Sequence, residues 1–190
     1  MQAAVLTKTT ELTREEWLEA RRQGIGSSDA AAICGLSPWR SPLAVYLDKV
    51  GDLPDAELSE SMEWGIRLEP IVAEAWAERT GKKVRRRNAI LQHPVYSWML
   101  ANLDREVVGE KAVLEIKTTS AFGRDAWADG AVPDHYVIQV QHQLAVTGYD
   151  RAYLAVLIGG NHLECRELER DDELIARLIE IEAEFWARVE

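Results

Sequence analysis

The 190-residue sequence predicts an α/β or α+β protein in which a mixed central sheet is flanked by helices. Helical apolar spacing dominates residues 13–80, strand-like apolar runs fill residues 83–117, and helix and strands alternate from residue 134 onwards. Such runs in a chain of this length are typical of one domain with one core. We expect a single domain over 1–190, with N-terminal helices at 13–50, a core at about 60–158 and a C-terminal helix at 171–190.

The first and third helices have recognisable ends. Thr13 and Glu16 form a T-x-x-E capping box, which predicts a helix that runs to about Arg22. Ser41 as N-cap and Pro42 at the first helical position predict another helix, which ends before a glycine.

A short helix is predicted between these two, in "SSDAAAICG". Ser27 or Ser28 serves as its N-cap, Asp29 lies in its first turn and Gly35 ends it. Hydroxyl groups and free backbone N–H groups then meet at one helix end, which can hold an anion.

A longer helix is predicted over residues 59–80, after a loop at 52–58. Its apolar residues recur at helical spacing, and Gly81 ends it. Pro70 predicts a kink or a helix restart, next to Glu69.

Strands and helices alternate in the rest of the chain. Residues 83–91, 98–108 and 111–117 are predicted as strands, the last two joined by a turn at Gly109. The elements predicted after them are a short helix at 122–127, a helix from Asp134 as N-cap to Gly148, a strand from 151, its hairpin partner at 162–168 and the helix after 171.

Composition excludes several classes of protein. The net charge of −10 argues against nonspecific coating of nucleic acid, which depends on many Lys and Arg residues. Two distant cysteines cannot form a four-cysteine cluster, and no apolar run approaches a membrane span, so we expect a cytoplasmic protein without membrane partners. One basic stretch, "KKVRRR" at 82–87, is either a solvated strand edge or a strip that contacts phosphates.

An acidic residue interrupts the apolar strand "AVLEIKTT" at 112–119. Glu115 and Lys117 are two apart and therefore face the same side of the strand. A hairpin through the preceding turn would place Asp104 opposite Glu115, where Mg²⁺ would relieve the repulsion between the carboxylates, with the Ile116 carbonyl as a further ligand. Taken alone, E-x-K also fits a surface ion pair.

Four sequence blocks together resemble a known family. They are D…E-x-K, "RRQGIGSSDAAAICGLSPW", "MEWGIRLEPIVAEAW" and "HYVIQVQHQLAVTG". In this order they resemble the YqaJ-like viral recombinase family, which includes the exonuclease of phage lambda and belongs to the PD-(D/E)xK nuclease superfamily. The resemblance covers residues 21–158 and implies a restriction-endonuclease-like core.

The resemblance implies a metal-dependent active site. Asp104, Glu115 and the Ile116 carbonyl would hold Mg²⁺, for which Mn²⁺ would substitute. Lys117 would be the catalytic lysine, and Glu69 would be a further catalytic acid near the metal.

The resemblance also implies a site for the end of a DNA duplex, formed by the helices at 13–50. Arg21 and Ser28 match positions that hold a terminal 5′-phosphate, Gln139 matches a residue of the same pocket, and Gln141 is a looser match. Candidates for further DNA contacts are aromatic and basic side chains, namely Trp39, Lys82, Lys83, Arg85 and Arg105, and Arg105 fits a solvated residue equally well.

The implied activity is Mg²⁺-dependent 5′-to-3′ degradation of one strand of duplex DNA from 5′-phosphorylated ends. Its partners would be a single-strand annealing protein and copies of this chain in a ring, with a trimer expected, in a bacterial host that carries a phage or prophage. Two alternatives remain open, which are an endonuclease of the same fold and a noncatalytic protein that binds DNA ends.

Overall fold

Two mixed β-sheets and six α-helices form the described part of the chain. The structure, a computed structural model, describes residues 3–53 and 58–190, so residues 54–57 of the expected loop at 52–58 lie outside the described residues. The elements in chain order are β1 Ala4–Lys8, α1 Arg14–Arg22, β2 Ile25–Gly26, α2 Ser27–Ile33, α3 Pro42–Lys49, α4 Glu60–Thr80, β3 Val84–Arg85, β4 Ala89–Gln92, β5 Met99–Asn102, β6 Arg105–Val107, β7 Ala112–Thr119, a 3-10 segment Ala121–Gly130, α5 Asp134–Thr147, β8 Arg151–Ile158, β9 His162–Glu169 and α6 Asp172–Trp186.

The larger sheet has five strands in the order β3-β6-β7-β8-β9. β7 and β8 run parallel, joined by the 3-10 segment and α5, and the other neighbours are antiparallel. The smaller sheet has the order β1-β4-β5-β2, with β2 parallel to β5. The expected α/β class with mixed strands is confirmed, although the strands form two sheets where one was expected.

The two faces of β7 contact different helices. Val113 belongs to a core cluster with Val140 and Leu144 of α5. Leu114 packs in a second cluster with Trp76 of α4. Because successive side chains of a strand alternate, every second residue of β7 therefore faces α5.

Several predicted caps are confirmed. The Thr13 hydroxyl accepts the Glu16 N–H at 3.2 Å, and the Glu16 carboxylate accepts the Thr13 N–H at 2.8 Å. The Ser41 hydroxyl likewise accepts the Ala44 N–H at 3.1 Å. At the start of α5, however, the N-cap is Pro133, because Asp134 already has helical geometry and begins the helix.

The N-cap of α2 differs from the prediction. It is Gly26, and Ser27 and Ser28 are the first residues of the helix. Asp29 explains this, because its carboxylate accepts the Gly26 N–H at 3.2 Å from inside the first turn. A carboxylate of the chain itself thus already bonds the N-cap N–H at this helix end.

Two predicted strands are each divided between the two sheets. Residues 83–91 contain β3 and β4, separated by Asn88 at a φ of 48°. Residues 98–108 contain β5 and β6, separated by a bend at residues 103–104. β1 was not predicted.

The long helix α4 continues through Pro70 without a restart. Its second half is held by burial of Val72 and Trp76, and Gly81 ends it at a φ of 71°. Within the described residues, no helix has both the length and the apolarity needed to cross a membrane.

Candidate active site

A cavity of about 590 Å³ lies between α4 and the end of β7. Its lining includes the five residues that the sequence assigned to metal and catalysis, which are Glu69, Asp104, Glu115, Ile116 and Lys117. The structure therefore brings these residues together.

The strand register explains why the two central carboxylates meet. Arg105 of β6 pairs with Leu114 of β7, so the residue before Arg105 lies level with the residue after Leu114. These residues are Asp104 and Glu115. The Asp104 carboxylate also accepts the Ile116 N–H at 2.8 Å, which ties the bend to β7.

Glu115 is buried, with both carboxylate oxygens hydrogen-bonded. Oε1 accepts from Gln139 Nε2 and from Lys117 Nζ, both at 2.7 Å. Oε2 accepts from Gln143 Nε2 at 2.7 Å. These donors account for a charged group inside an apolar strand, which would otherwise be costly by several kcal/mol.

The Lys117 ammonium is held from three sides. It contacts Glu115, donates to Gln139 Oε1 at 3.0 Å and lies 4.9 Å from the centre of the Tyr136 ring. Burial opposes its charge, but the carboxylates of Glu115 and Asp104 outweigh burial and raise the pKa of Lys117. The side chain keeps 19% of its surface exposed, so the ammonium stays cationic at the edge of the cavity.

The donor set fits a hard divalent cation. Burial, and after it the charge of Glu115, raises the pKa of Asp104 to about 8. Asp104 therefore tends to keep a proton unless a cation takes its place, and carboxylate and carbonyl oxygens are ligands that Mg²⁺ accepts. Among residues 3–53 and 58–190, no three His, Cys, Asp or Glu side chains form a ready-made metal cluster, so Asp104 and Glu115 would need help from the Ile116 carbonyl, water or substrate.

Glu69 reaches the cavity but is already paired. Its Oε1 accepts from Arg105 at 2.5 Å and lies 3.6 Å from Arg86. Arg105 is buried by this contact, with 7% of its side chain exposed. Arg105 is therefore not a solvated residue, because its guanidinium turns inwards and donates to Glu69.

The three glutamines of α5 have different positions. Gln139 and Gln143 are four residues apart, and both donate to Glu115. Gln141 faces the other side of the helix, where it donates to the Glu169 carbonyl and accepts the Asp171 N–H. Side chains two positions apart on an α-helix point about 200° apart around the helix axis, so Gln141 cannot share the face of Gln139. Placing Gln141 in the DNA-end pocket was wrong, and Gln143 was missed although i, i+4 spacing indicates it.

Arg21 and Ser28 lie together outside the lining of this cavity. Arg21 Nη2 donates to the Ser28 hydroxyl at 3.1 Å, and the guanidinium lies 4.7 Å from the centre of the Trp17 ring. α2 follows β2, and Asp104 follows β5, which is parallel to β2. Since the carboxyl ends of parallel strands meet at one edge, Ser28 and Asp104 lie at the same edge of the smaller sheet.

Most of the basic stretch at 82–87 is paired with carboxylates. Lys82 contacts Glu110, and Arg85 contacts Glu106 at 3.1 Å. Lys83 is exposed. Trp39, with 69% of its surface exposed, packs edge-on against His135 and at a tilt against Tyr136, both of α5.

The chain is similar to known proteins in sequence and in structure. The family model of the YqaJ-like viral recombinase domain matches residues 16–150. The chain is 53% identical over 187 residues to the uncharacterized protein YqaJ of Bacillus subtilis, which covers 97% of this chain but 59% of that relative. The chain thus spans about three fifths of the relative's length.

Solved exonuclease structures share the fold. An alkaline exonuclease from Laribacter hongkongensis superposes with a TM-score of 0.76 at 22% identity and covers 92% of both chains. A phage related exonuclease from Haemophilus somnus superposes with a TM-score of 0.70 at 12% identity, over 87% of this chain and 93% of its own. At these identities the likeness supports the restriction-endonuclease-like fold and carries no residue role.

Proposed function

The chain belongs to the YqaJ-like viral recombinase family, and from that premise we propose that it is a metal-dependent deoxyribonuclease that degrades one strand of duplex DNA from 5′-phosphorylated ends. One observation carries the proposal, which is that Asp104 and Glu115 meet in a cavity where Lys117 contacts Glu115 at 2.7 Å. Paired carboxylates with an ammonium are suited to hydrolysis of a phosphodiester, whose transition state gathers negative charge.

The reaction assigns a role to each residue. Asp104, Glu115 and the Ile116 carbonyl would hold Mg²⁺, or Mn²⁺ in its place, with Glu69 as a further acid. When bound, the cation stabilises charge on the phosphate oxygens and lowers the pKa of water. Lys117 orients the attacking water, which adds to phosphorus as the bond to the 3′-oxygen breaks, and that oxygen takes up a proton.

End selection would come from the pair of Arg21 and Ser28. A guanidinium fork with a hydroxyl at 3.1 Å offers several donors to a terminal phosphate. One relative of this fold, the Laribacter hongkongensis enzyme, was solved in complex with dAMP, a 5′-mononucleotide. Release of mononucleotides from a phosphorylated end is therefore the mode we propose, and we assign Gln139, which contacts Glu115 and Lys117, to the binding of the same 5′-phosphate.

Three duplexes test this function with Mg²⁺ present, which are a linear 5′-phosphorylated duplex, its 5′-hydroxyl counterpart and a closed circle. We expect rapid release of nucleotides from the first, slow release from the second and none from the circle. Cutting of the circle would indicate an endonuclease, and binding of ends without hydrolysis would indicate a noncatalytic protein.

Two variants assign the roles. Lys117→Ala should bind DNA ends but hydrolyse them about 10³-fold more slowly, since it removes charge stabilisation in the transition state. Unchanged activity of Lys117→Ala would contradict its catalytic role.

Arg21→Gln should reduce the preference for a 5′-phosphate over a 5′-hydroxyl and leave hydrolysis of the hydroxyl duplex unchanged.

The proposal extends to assembly and partners. A homo-oligomeric ring, with a trimer expected, would let an acidic chain enclose DNA in a channel, and its product would pass to a single-strand annealing protein in the cytoplasm. Light scattering should then give three times the chain mass of 21.4 kDa. A monomer that degrades long duplexes without release would contradict the ring.

A further inference from the structure

Tyr136 provides one of the three contacts of the Lys117 ammonium. Lys117 Nζ lies 4.9 Å from the centre of the Tyr136 ring, and its other partners are oxygens of Glu115 and Gln139. A cation over the face of an aromatic ring is attracted by about 0.5–2 kcal/mol, with the larger values where water is excluded. The ring thus attracts the ammonium from the side of its face, a direction in which neither Glu115 nor Gln139 contacts it.

The Tyr136 ring is itself fixed by aromatic residues from separate segments. Trp127 of the 3-10 segment stacks on it, with centroids 5.5 Å apart and planes at 27°. Trp39, from the loop between α2 and α3, lies 6.1 Å away at 39°. His135 lies 4.1 Å away. Contacts from several segments leave the ring little freedom to turn its face away from Lys117.

We propose that Tyr136 is a positioning residue for Lys117, which holds the ammonium beside Glu115 through the face of its ring and not through its hydroxyl. This inference rests on the proposed nuclease function, in which the ammonium must meet the attacking water at a fixed place. Trp127 and Trp39 act behind it by fixing the orientation of the ring.

The test varies the electron density of the ring at constant shape. Tyr136 is replaced by Phe and by Phe carrying one, two or three fluorine atoms, and initial rates are measured on the 5′-phosphorylated duplex with Mg²⁺. Phe should stay within about 3-fold of the natural protein, and each fluorine should lower kcat further while KM for DNA stays constant. Tyr136→Leu should lower kcat by about 5- to 30-fold.

A matched control is Tyr96→Leu, which removes a tyrosine that packs on His93 and Trp98 outside the cavity lining. It should leave kcat unchanged. If the fluorine series is flat, or if Tyr136→Leu keeps the natural kcat, the inference is overturned. If the natural protein itself releases no nucleotides, the proposed function fails, which is a separate result.

Discussion

At the scale of single residues, the hydrogen bonds of Glu115 explain how a strand core can contain an acid. Three donors, from Gln139, Gln143 and Lys117, contact its two oxygens at 2.7 Å. These hydrogen bonds fix the orientation of the Glu115 carboxylate and also offset its negative charge. A carboxylate oriented in this way would meet the proposed cation in a fixed direction.

Gln143→Leu tests this orientation. The substitution keeps most of the volume but removes the N–H that contacts Glu115 Oε2. We expect activity to fall by about 10- to 100-fold, as for other groups that orient a metal ligand, and the Mg²⁺ concentration for half-maximal activity to rise. Steady-state rates over a Mg²⁺ series measure both effects.

Gln141→Leu is the matched control, because Gln141 lies two residues away on the other side of α5. It loses its bonds to Glu169 and Asp171, so stability should fall by about 1–3 kcal/mol while activity per folded molecule stays the same. Equal losses of activity in the two variants would show that Gln143 acts only through stability.

Residue spacing in the sequence predicts the positions of several site residues, but it does not predict the long-range pairs between them. Period-two spacing placed Glu115 and Lys117 on one face, and the hairpin placed Asp104 level with Glu115. The partners of Arg105 could not be predicted in this way, because Glu69 is 36 residues away on another element. Long-range pairs of that kind depend on tertiary packing, which no local pattern encodes.

At the scale of elements, α5 and α6 are joined by a buried ionisable pair. His142 Nε2 donates to the Leu100 carbonyl at 2.9 Å, and Nδ1 lies 2.7 Å from Glu182 Oε1. Both side chains are fully buried. Burial opposes the charge of His142, but Glu182 outweighs burial and raises the pKa of the imidazole. Burial also raises the pKa of Glu182.

This pair predicts that stability falls as pH rises. Both pKa values are raised in the folded protein, so the folded state binds more protons than the unfolded state. The contribution of His142 is complete below the unfolded His pKa of about 6.5 and is lost as pH rises through the raised pKa of the folded state. Between these two pKa values the contribution of His142 to the free energy of unfolding should fall by about 1.4 kcal/mol for each pH unit, in addition to the loss from Asp104, whose pKa is raised to about 8. Urea unfolding at several values between pH 6.5 and pH 9 measures this slope.

Glu182→Gln isolates the pair within that slope. The amide can donate to a neutral imidazole, so the contact survives while its titration is removed. Other titratable groups lie near the pair, namely Asp29 of α2, Cys34 and His93. Because these remain in the variant, a slope equal to that of the natural protein would assign the pH dependence to them.

The boundaries of strands are harder to predict from the sequence than the ends of capped helices. The stretch at 83–91 is regular enough to predict one strand, yet Asn88 at a φ of 48° turns the chain from one sheet to the other. Asn is among the few residues that adopt this conformation readily, but nothing nearby in the sequence requires it. In contrast, the capping box at Thr13 is a local interaction, and its prediction was confirmed.

At the scale of the whole molecule, most carboxylates near the basic stretch are paired with bases, whereas two carboxyl groups meet each other at the candidate active site. The basic residues at 82–87 are largely offset by Glu106, Glu110 and Glu69. Asp104 and Glu115, in contrast, face each other within range of a single ammonium. The fold therefore holds two carboxyl groups close together, so that Asp104 is ionised only at a cost in free energy, and a bound cation would offset that cost.

This cost predicts that Mg²⁺ stabilises the folded protein even when no DNA is present. A cation that binds only the folded state adds about 2.7 kcal/mol at 100 times its Kd, and each kcal/mol raises Tm by about 2–4 °C in a chain of this size. Thermal unfolding with Mg²⁺ should thus give a Tm several degrees above that in EDTA.

Asp104→Asn distinguishes this site from weak binding to the acidic surface. It replaces a carboxyl group, which is ionised at a cost beside Glu115, by a neutral amide and removes one metal ligand, so its Tm in EDTA should equal or exceed that of the natural protein, and Mg²⁺ should no longer raise it. An equal Mg²⁺ effect on Tm in both proteins would place the cation elsewhere on the chain. Because the measurement needs no substrate, it tests why an acid lies in the middle of β7 independently of nuclease activity.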